Sequence, residues 1–92
     1  MANGSARVGG HEFDVWLPPE QEGGVWANDI EVSFSEHEFT LDFIRLDHPR
    51  QRGVVVARVA ISPGLMTRVI DLLGPVWSDY AGRAMPPEVH DE

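Results

Sequence analysis

Between residues 11 and 61, apolar and polar positions alternate with a period of two, the mark of half-buried strands. Residues 11–17 read as a first strand, with Phe13, Val15 and Leu17 on one side, and Pro18-Pro19 ends it. After a polar loop at 20–24, residues 25–35 read as a second strand, in which Trp26, Asn28, Ile30, Val32 and Phe34 share a face. A short turn leads to a third strand at 39–47. A loop rich in turn residues, 48–53, then leads to a fourth at 54–61, dense in β-branched side chains. There the period changes. Ser62 suits a helix N-cap and Pro63 the first helical position, and Met66, Val69, Ile70, Leu73, Trp77 and Tyr80 recur at helical spacing. Gly74-Pro75 interrupts this stripe. Proline removes a backbone donor and crowds the preceding turn, so the pattern predicts a helix kinked or broken there. A kink keeps the stripe in phase to Tyr80. Residues 1–10, small and polar, and 85–92, acidic, read as disordered tails around one domain at 11–84.

Short connections dictate antiparallel neighbours. A tight turn at 36–37 pairs Phe34 with Phe39, Val32 with Leu41 and Ile30 with Phe43. Symmetric closure of the next loop sets Phe43 opposite Ala57, Leu41 opposite Val59 and Phe39 opposite Ile61. These residues, with Val55, make one wholly apolar face, which the helix stripe is expected to cover. The opposite face carries Phe13, Val15, Leu17, Val25 and Ala27, then Ile44, Leu46, Val54 and Val56, interspersed with Asp29, Glu31, Asp42 and Arg58. The expected fold is therefore α+β: a four-stranded antiparallel β-sheet (a meander) with one C-terminal helix packed on one face. A half-solvated sheet should be polar on its outer side, and this one is half apolar. The second face is thus expected to be an oligomer or partner interface, unless residues 1–24 fold back over it.

Composition sharpens that expectation. A chain of 92 residues buries only about 60–65% of its unfolded surface and often needs a staple or a partner. Cysteine is absent, which removes disulfides, thiolate metal sites and cysteine nucleophiles. A homo-oligomer, dimer or higher, remains as the aid to stability. The 7 basic residues face 15 acidic ones for a net charge of −8, and all the basic ones are arginine. Without lysine there is no Schiff-base chemistry and no phosphate-loop lysine. The acidic balance disfavours nucleic acid and anionic membrane surfaces as partners. Residues 1–7 lack the apolar run of a secretory leader, and no stretch approaches membrane-spanning length, so a cytoplasmic location is expected.

The candidate chemistry is sparse. Glu31, Asp42 and Arg58 fall on adjacent strands, where two carboxylates around an arginine could serve as an acid/base pair with an anion clamp. The simpler reading is a structural cross-strand ion pair. His37 and His48 sit in turns, and His11 and His90 near the ends. None converges with enough partners to form the three- or four-ligand set a zinc ion needs. Trp16, Trp26, Trp77 and Tyr80 could make an aromatic recognition surface, although the last two lie on the helix stripe and read as core. Asn28, on the apolar face opposite Arg45, reads as satisfying a hydrogen-bond need at the sheet margin. Gly23-Gly24 is too short for a phosphate-binding loop. No cofactor or metal is expected.

Three blocks carry a resemblance. Gly24-Val25-Trp26-Ala27-Asn28, then Ser35-Glu36-His37-Glu38-Phe39-Thr40-Leu41-Asp42-Phe43, then Val56-Ala57-Arg58-Val59-Ala60-Ile61-Ser62-Pro63 resemble a family of small bacterial proteins known as domain-of-unknown-function family 3467. The blocks occur in order and at compatible spacing, and cover roughly residues 11–80. The chain departs from the family at Gly74-Pro75, where the family's helix looks uninterrupted. The resemblance implies no activity, and its motif positions here are Asn28, Asp42, Phe43 and Arg58. In layout alone, the expected fold is also similar to SecB-like export chaperones, which join a four-stranded sheet to C-terminal helices and associate through sheets. The function expected is thus a non-enzymatic protein-interaction module that self-associates through its sheet, with a possible further protein partner. The alternatives are a chaperone-type binder of unfolded segments and an enzyme using Glu31, Asp42 and Arg58.

Overall fold

The computed structural model describes residues 2–8 and 11–84. Strands β1 (Ala2–Val8) and β2 (His11–Leu17) form an antiparallel two-stranded sheet of their own. A single 3-10 turn at Pro19–Gln21 follows. Strands β3 (Asp29–Phe34), β4 (Phe39–Asp47) and β5 (Arg52–Ile61) form a three-stranded antiparallel sheet in sequence order, and helix α1 (Pro63–Arg83) ends the chain. No helix among the described residues is long and apolar enough to cross a membrane.

The sheet therefore has three strands, not four. Residues 11–17 form the expected strand, but they pair with residues 2–8, which were expected to be part of a tail. The register runs from Ala2 opposite Leu17 to Val8 opposite His11, and Gly9-Gly10 between them lies outside the described residues. So does the expected tail at 85–92. The second strand begins at Asp29 rather than at residue 25, which leaves Val25 and Ala27 in the connection after β2.

Within the three-stranded sheet, all six expected pairings occur: Phe34 with Phe39, Val32 with Leu41, Ile30 with Phe43, and Phe39, Leu41 and Phe43 with Ile61, Val59 and Ala57. The turn that sets them is tight, with the Ser35 amide donating to the Glu38 carbonyl at 2.9 Å, and the Phe34 and Phe39 rings meet at 5.7 Å. Beyond Phe43 a bulge shifts the register. Ile44 pairs with Val55 and Arg45 with Val54, which leaves Val56 as the extra residue. A period-two reading cannot carry faces across an extra residue. Val55 consequently joins Ile44 on the second face and Val54 joins Arg45 on the first, the reverse of the expected assignment.

Asn28 performs the role read for it. Its amide oxygen accepts from the Leu46 backbone N–H at 2.8 Å, and its Nδ2 donates to the Leu46 carbonyl at 3.3 Å. Its own backbone N–H donates to the Ile44 carbonyl at 3.0 Å. The side chain thus acts as one more rung of the β3–β4 ladder, beyond the point where the strand itself begins.

At the other end, the Ser62 hydroxyl caps α1 by accepting from the Leu65 N–H at 3.1 Å, with Pro63 in the first turn. The helix runs as one element of 21 residues through Gly74 and Pro75. The break considered for that point does not occur. Pro75 leaves the Asp71 carbonyl without its helical donor, and because Asp71 is exposed, water can satisfy it.

The largest departure from expectation is in the layers. The helix does not cover the apolar face. Phe34 is 77% exposed, Ile70 63% and Leu73 60%, and Val32, Val59 and Trp77 are exposed as well. Along most of the central strand β4 the alternate side chains are half-buried alike, and among the described residues no layer covers either face of the sheet. The buried apolar core reduces to Ile61 among the described residues, at 9% exposure. The chain has a radius of gyration of 16.3 Å, against about 12 Å for a compact domain of this length.

Two expectations follow. Asn28→Ala removes both side-chain bonds to Leu46 and should lower stability by about 1 kcal/mol, read as a lower urea midpoint at fixed chain concentration. Gln51 sits at φ 52° in the β4–β5 turn, a left-handed conformation that glycine adopts without steric cost. Gln51→Gly should therefore raise stability by about 0.5–1 kcal/mol in the same assay.

Candidate functional site

The second face of the sheet holds an ion pair that links two neighbouring strands across the ladder. Asp42 on β4 lies opposite Arg58 on β5 and opposite Glu31 on β3. The Arg58 Nε donates to Asp42 Oδ1 at 2.6 Å and its terminal nitrogen to Oδ2 at 2.8 Å, a two-pronged contact that occupies both carboxylate oxygens. Asp42 sits low on the sheet, its side chain 15% exposed, while Arg58 reaches over it and stays 67% exposed. Glu31 stands beside the pair without an ion pair to Arg58.

The electrostatics follow from this geometry. The hydrogen bonds from Arg58, aided by its charge, hold the Asp42 carboxyl below its usual value of 3.8, against a smaller opposing effect of partial burial. The same contact raises the Arg58 guanidinium further above its ordinary value. A carboxylate held ionised with both oxygens engaged is a weak base at neutral pH and has no proton to give. The adjacent hollow, bounded by Glu31, Val32, Ser33 and Asp42, is a shallow depression at the free edge of β3. The arrangement fixes two neighbouring strands in register. As chemistry it offers an ion pair and an exposed guanidinium.

The other candidates do not converge. Among the described residues, no group of three or more histidine and acidic side chains could hold a metal ion. The His37 backbone N–H bonds the Ser35 hydroxyl in the β3–β4 turn, so the residue is part of turn geometry. His48 lines an open hollow over the β4–β5 turn with Gln51 and Arg52. Trp77 and Tyr80 meet at 5.7 Å along α1, but they are exposed and not part of a core. Trp16 and Trp26 are exposed on separate segments, so the four aromatic residues form no single surface.

The residues expected to form an interface on the second face are dispersed. Phe13, Val15 and Leu17 belong to the separate hairpin, and Val25 and Ala27 to the connection. Ile44 and Leu46 remain on that face and are joined by Val55, close over Gly53, where an added Cβ would meet Leu46 at 3.0 Å and Ile44 at 3.3 Å. Val54 has crossed to the first face, and Val56 is the bulged residue. The larger open apolar surface is the first face, with Ile30, Val32, Phe34, Leu41, Phe43 and Val59.

No family model, no curated protein and no solved structure matches this chain.

The lowered Asp42 pKa gives a signed expectation. A carboxyl depressed in the folded state stabilises the fold at pH values above 3.8, and that contribution is lost as pH falls through the folded value, below 3.8. The Asp42 carboxyl resonance should therefore titrate with a midpoint below 3.8, and in Arg58→Gln the midpoint should move up. An unchanged midpoint in the variant would show that Arg58 does not hold Asp42 ionised in solution.

Proposed function

We propose that this chain is a non-enzymatic interaction module that self-associates through its sheet. One observation carries the reading: a sheet face whose register positions from Ile30 to Ile61 are apolar on all three strands stands open. Exposed apolar patches on stable monomers rarely exceed a few hundred Å², and larger ones mark surfaces that other protein covers. The chemistry of the site points the same way. Asp42 is committed to Arg58, and no second titratable group shares its hollow except Glu31.

The acidic balance shapes the association. Each copy carries a net charge of −8, so copies repel at long range and are drawn together by apolar contact at short range. Salt screens the first effect and leaves the second. Sedimentation over a range of chain concentrations should show a dimer or larger assembly at micromolar chain, tightening as ionic strength rises. Val32→Glu, which plants a charge in the middle of the open face, should weaken association at least tenfold while circular dichroism shows whether the strands persist. A monomer at every concentration and salt level would remove the proposal. A dimer insensitive to Val32→Glu would place the contact on some other surface.

A further inference from the structure

We infer that a second copy of this chain completes the fold by reciprocal exchange of α1, each copy's helix lying across the open apolar sheet face of the other. The inference rests on the self-association reading and specifies its geometry.

The chain carries both halves of one missing layer. Its sheet has an apolar face with no helix on it, and its helix has an apolar side with no sheet under it. A helix of 21 residues is about 31 Å long, and the apolar stretch of β5 from Ala57 to Ile61 spans about 17 Å, so about half of the helix can lie along it. At 3.6 residues per turn, the apolar arc of α1 from Leu72 round through Val76, Leu73 and Trp77 to Ile70 spans roughly 160°. A surface helix facing a single layer needs only about 100°. Arg68, Asp71 and Asp79 lie outside this arc.

The link explains why the occupant comes from another copy. A single residue, Ser62, joins β5 to α1, and three constraints fix it. Its hydroxyl is held by the Leu65 N–H, its carbonyl accepts from the Met66 N–H at 3.0 Å, and the following proline confines it to extended backbone, observed at φ −75° and ψ 157°. The helix leaves its own sheet in a set direction and cannot swing back without breaking its cap. A short, stiff link between two elements that want to pack together is the usual ground for exchange between copies.

Area supports a large and closed contact. The chain exposes 7856 Å², whereas a compact monomer of 10.2 kDa exposes about 5300 Å². The excess, about 2500 Å² per copy, is shared among α1, the open sheet face, the β1–β2 hairpin and the connection after it, so it is a ceiling on this contact, and one that leaves room for the 2000–5000 Å² of obligate dimers. With one helix and one face per copy, a two-fold arrangement satisfies both and leaves neither over.

The absence of native cysteine makes introduced thiols unambiguous reporters. Size-tagged Val32→Cys chain and untagged Leu73→Cys chain are unfolded together, refolded, and treated with a short bismaleimide. A second pair, Val59→Cys with Ile70→Cys, guards against a variant that fails to fold. The expected product is an adduct of one tagged and one untagged chain, approaching about half of the material because random two-fold pairing makes half of the dimers mixed, from a species sedimenting as a dimer. A dimer with no mixed adduct from either pair overturns the exchange while leaving self-association standing. In the Val32→Cys/Leu73→Cys double variant, a linkage within one chain from a sedimenting monomer overturns both, because it shows the helix covering its own sheet.

Discussion

An apolar sheet face has to be covered, and everything else in this chain is arranged around a face that its own chain does not cover. Burial of apolar surface is the main favourable term in folding, yet among the described residues only Ile61 reaches the buried state. The ladder hydrogen bonds of β3, β4 and β5, and those of α1, are formed, and each element is locally complete. Local completeness is not stability. A net hydrogen bond contributes about 1 kcal/mol, and a fixed residue loses a comparable amount or more in backbone freedom. Without a second apolar layer these elements have little to hold them together, and that deficit is the ground of the proposed association.

Given that demand, the polar devices set position rather than supply driving force. Asn28 extends the β3–β4 ladder past the point where β3 begins. Asp42 and Arg58 clasp β4 to β5 on the opposite side from the apolar face. The bulge after Phe43 then turns the first part of β5, so that Val55 joins Ile44 and Leu46 while Val54 stands with Arg45. The wholly apolar region therefore ends at Phe43 and Ala57, and beyond it the first face carries Arg45, Asp47 and Arg52. A covering layer meets apolar side chains over the Ile30-to-Ile61 end and charge over the other end, which limits where it can sit.

What could be read from the sequence divides along physical lines. The six pairings from Phe34 to Ile61 were legible because a tight turn and strict alternation together leave one register. The start of α1 was legible because Ser62-Pro63 is a chemical signal that acts locally. The role of Asn28 was legible as a need, whereas its partner Leu46 is identified only by the structure. That bulge was not legible: Val54-Val55-Val56 offers three equivalent residues, and nothing marks which is extra. Strand β1 was missed because Ala2 to Val8 has no alternation, although Gly9-Gly10 between paired residues is a two-residue hairpin composition that could have raised it. The placement of α1 was beyond reach in principle. An apolar stripe says that one side of a helix is suited to burial, but it does not say against what.

The ion pair has a second consequence for assembly. Strands β3 and β5 are the two edges of the sheet, and an open edge invites further strands unless charge or shape blocks it. On β3 the edge presents Asp29 and Glu31; on β5 it presents Arg52 and Arg58. Left free, acidic and basic edges would attract each other and chain copies head to tail without limit. Asp42 engages Arg58 from within the sheet, with both carboxylate oxygens on its guanidinium, so the basic edge loses much of its pull on the acidic edge of another copy. The remaining net charge of −8 per chain then opposes any contact not driven by apolar burial. Edge-to-edge growth is thereby disfavoured relative to the proposed face-to-helix contact, which would close on itself.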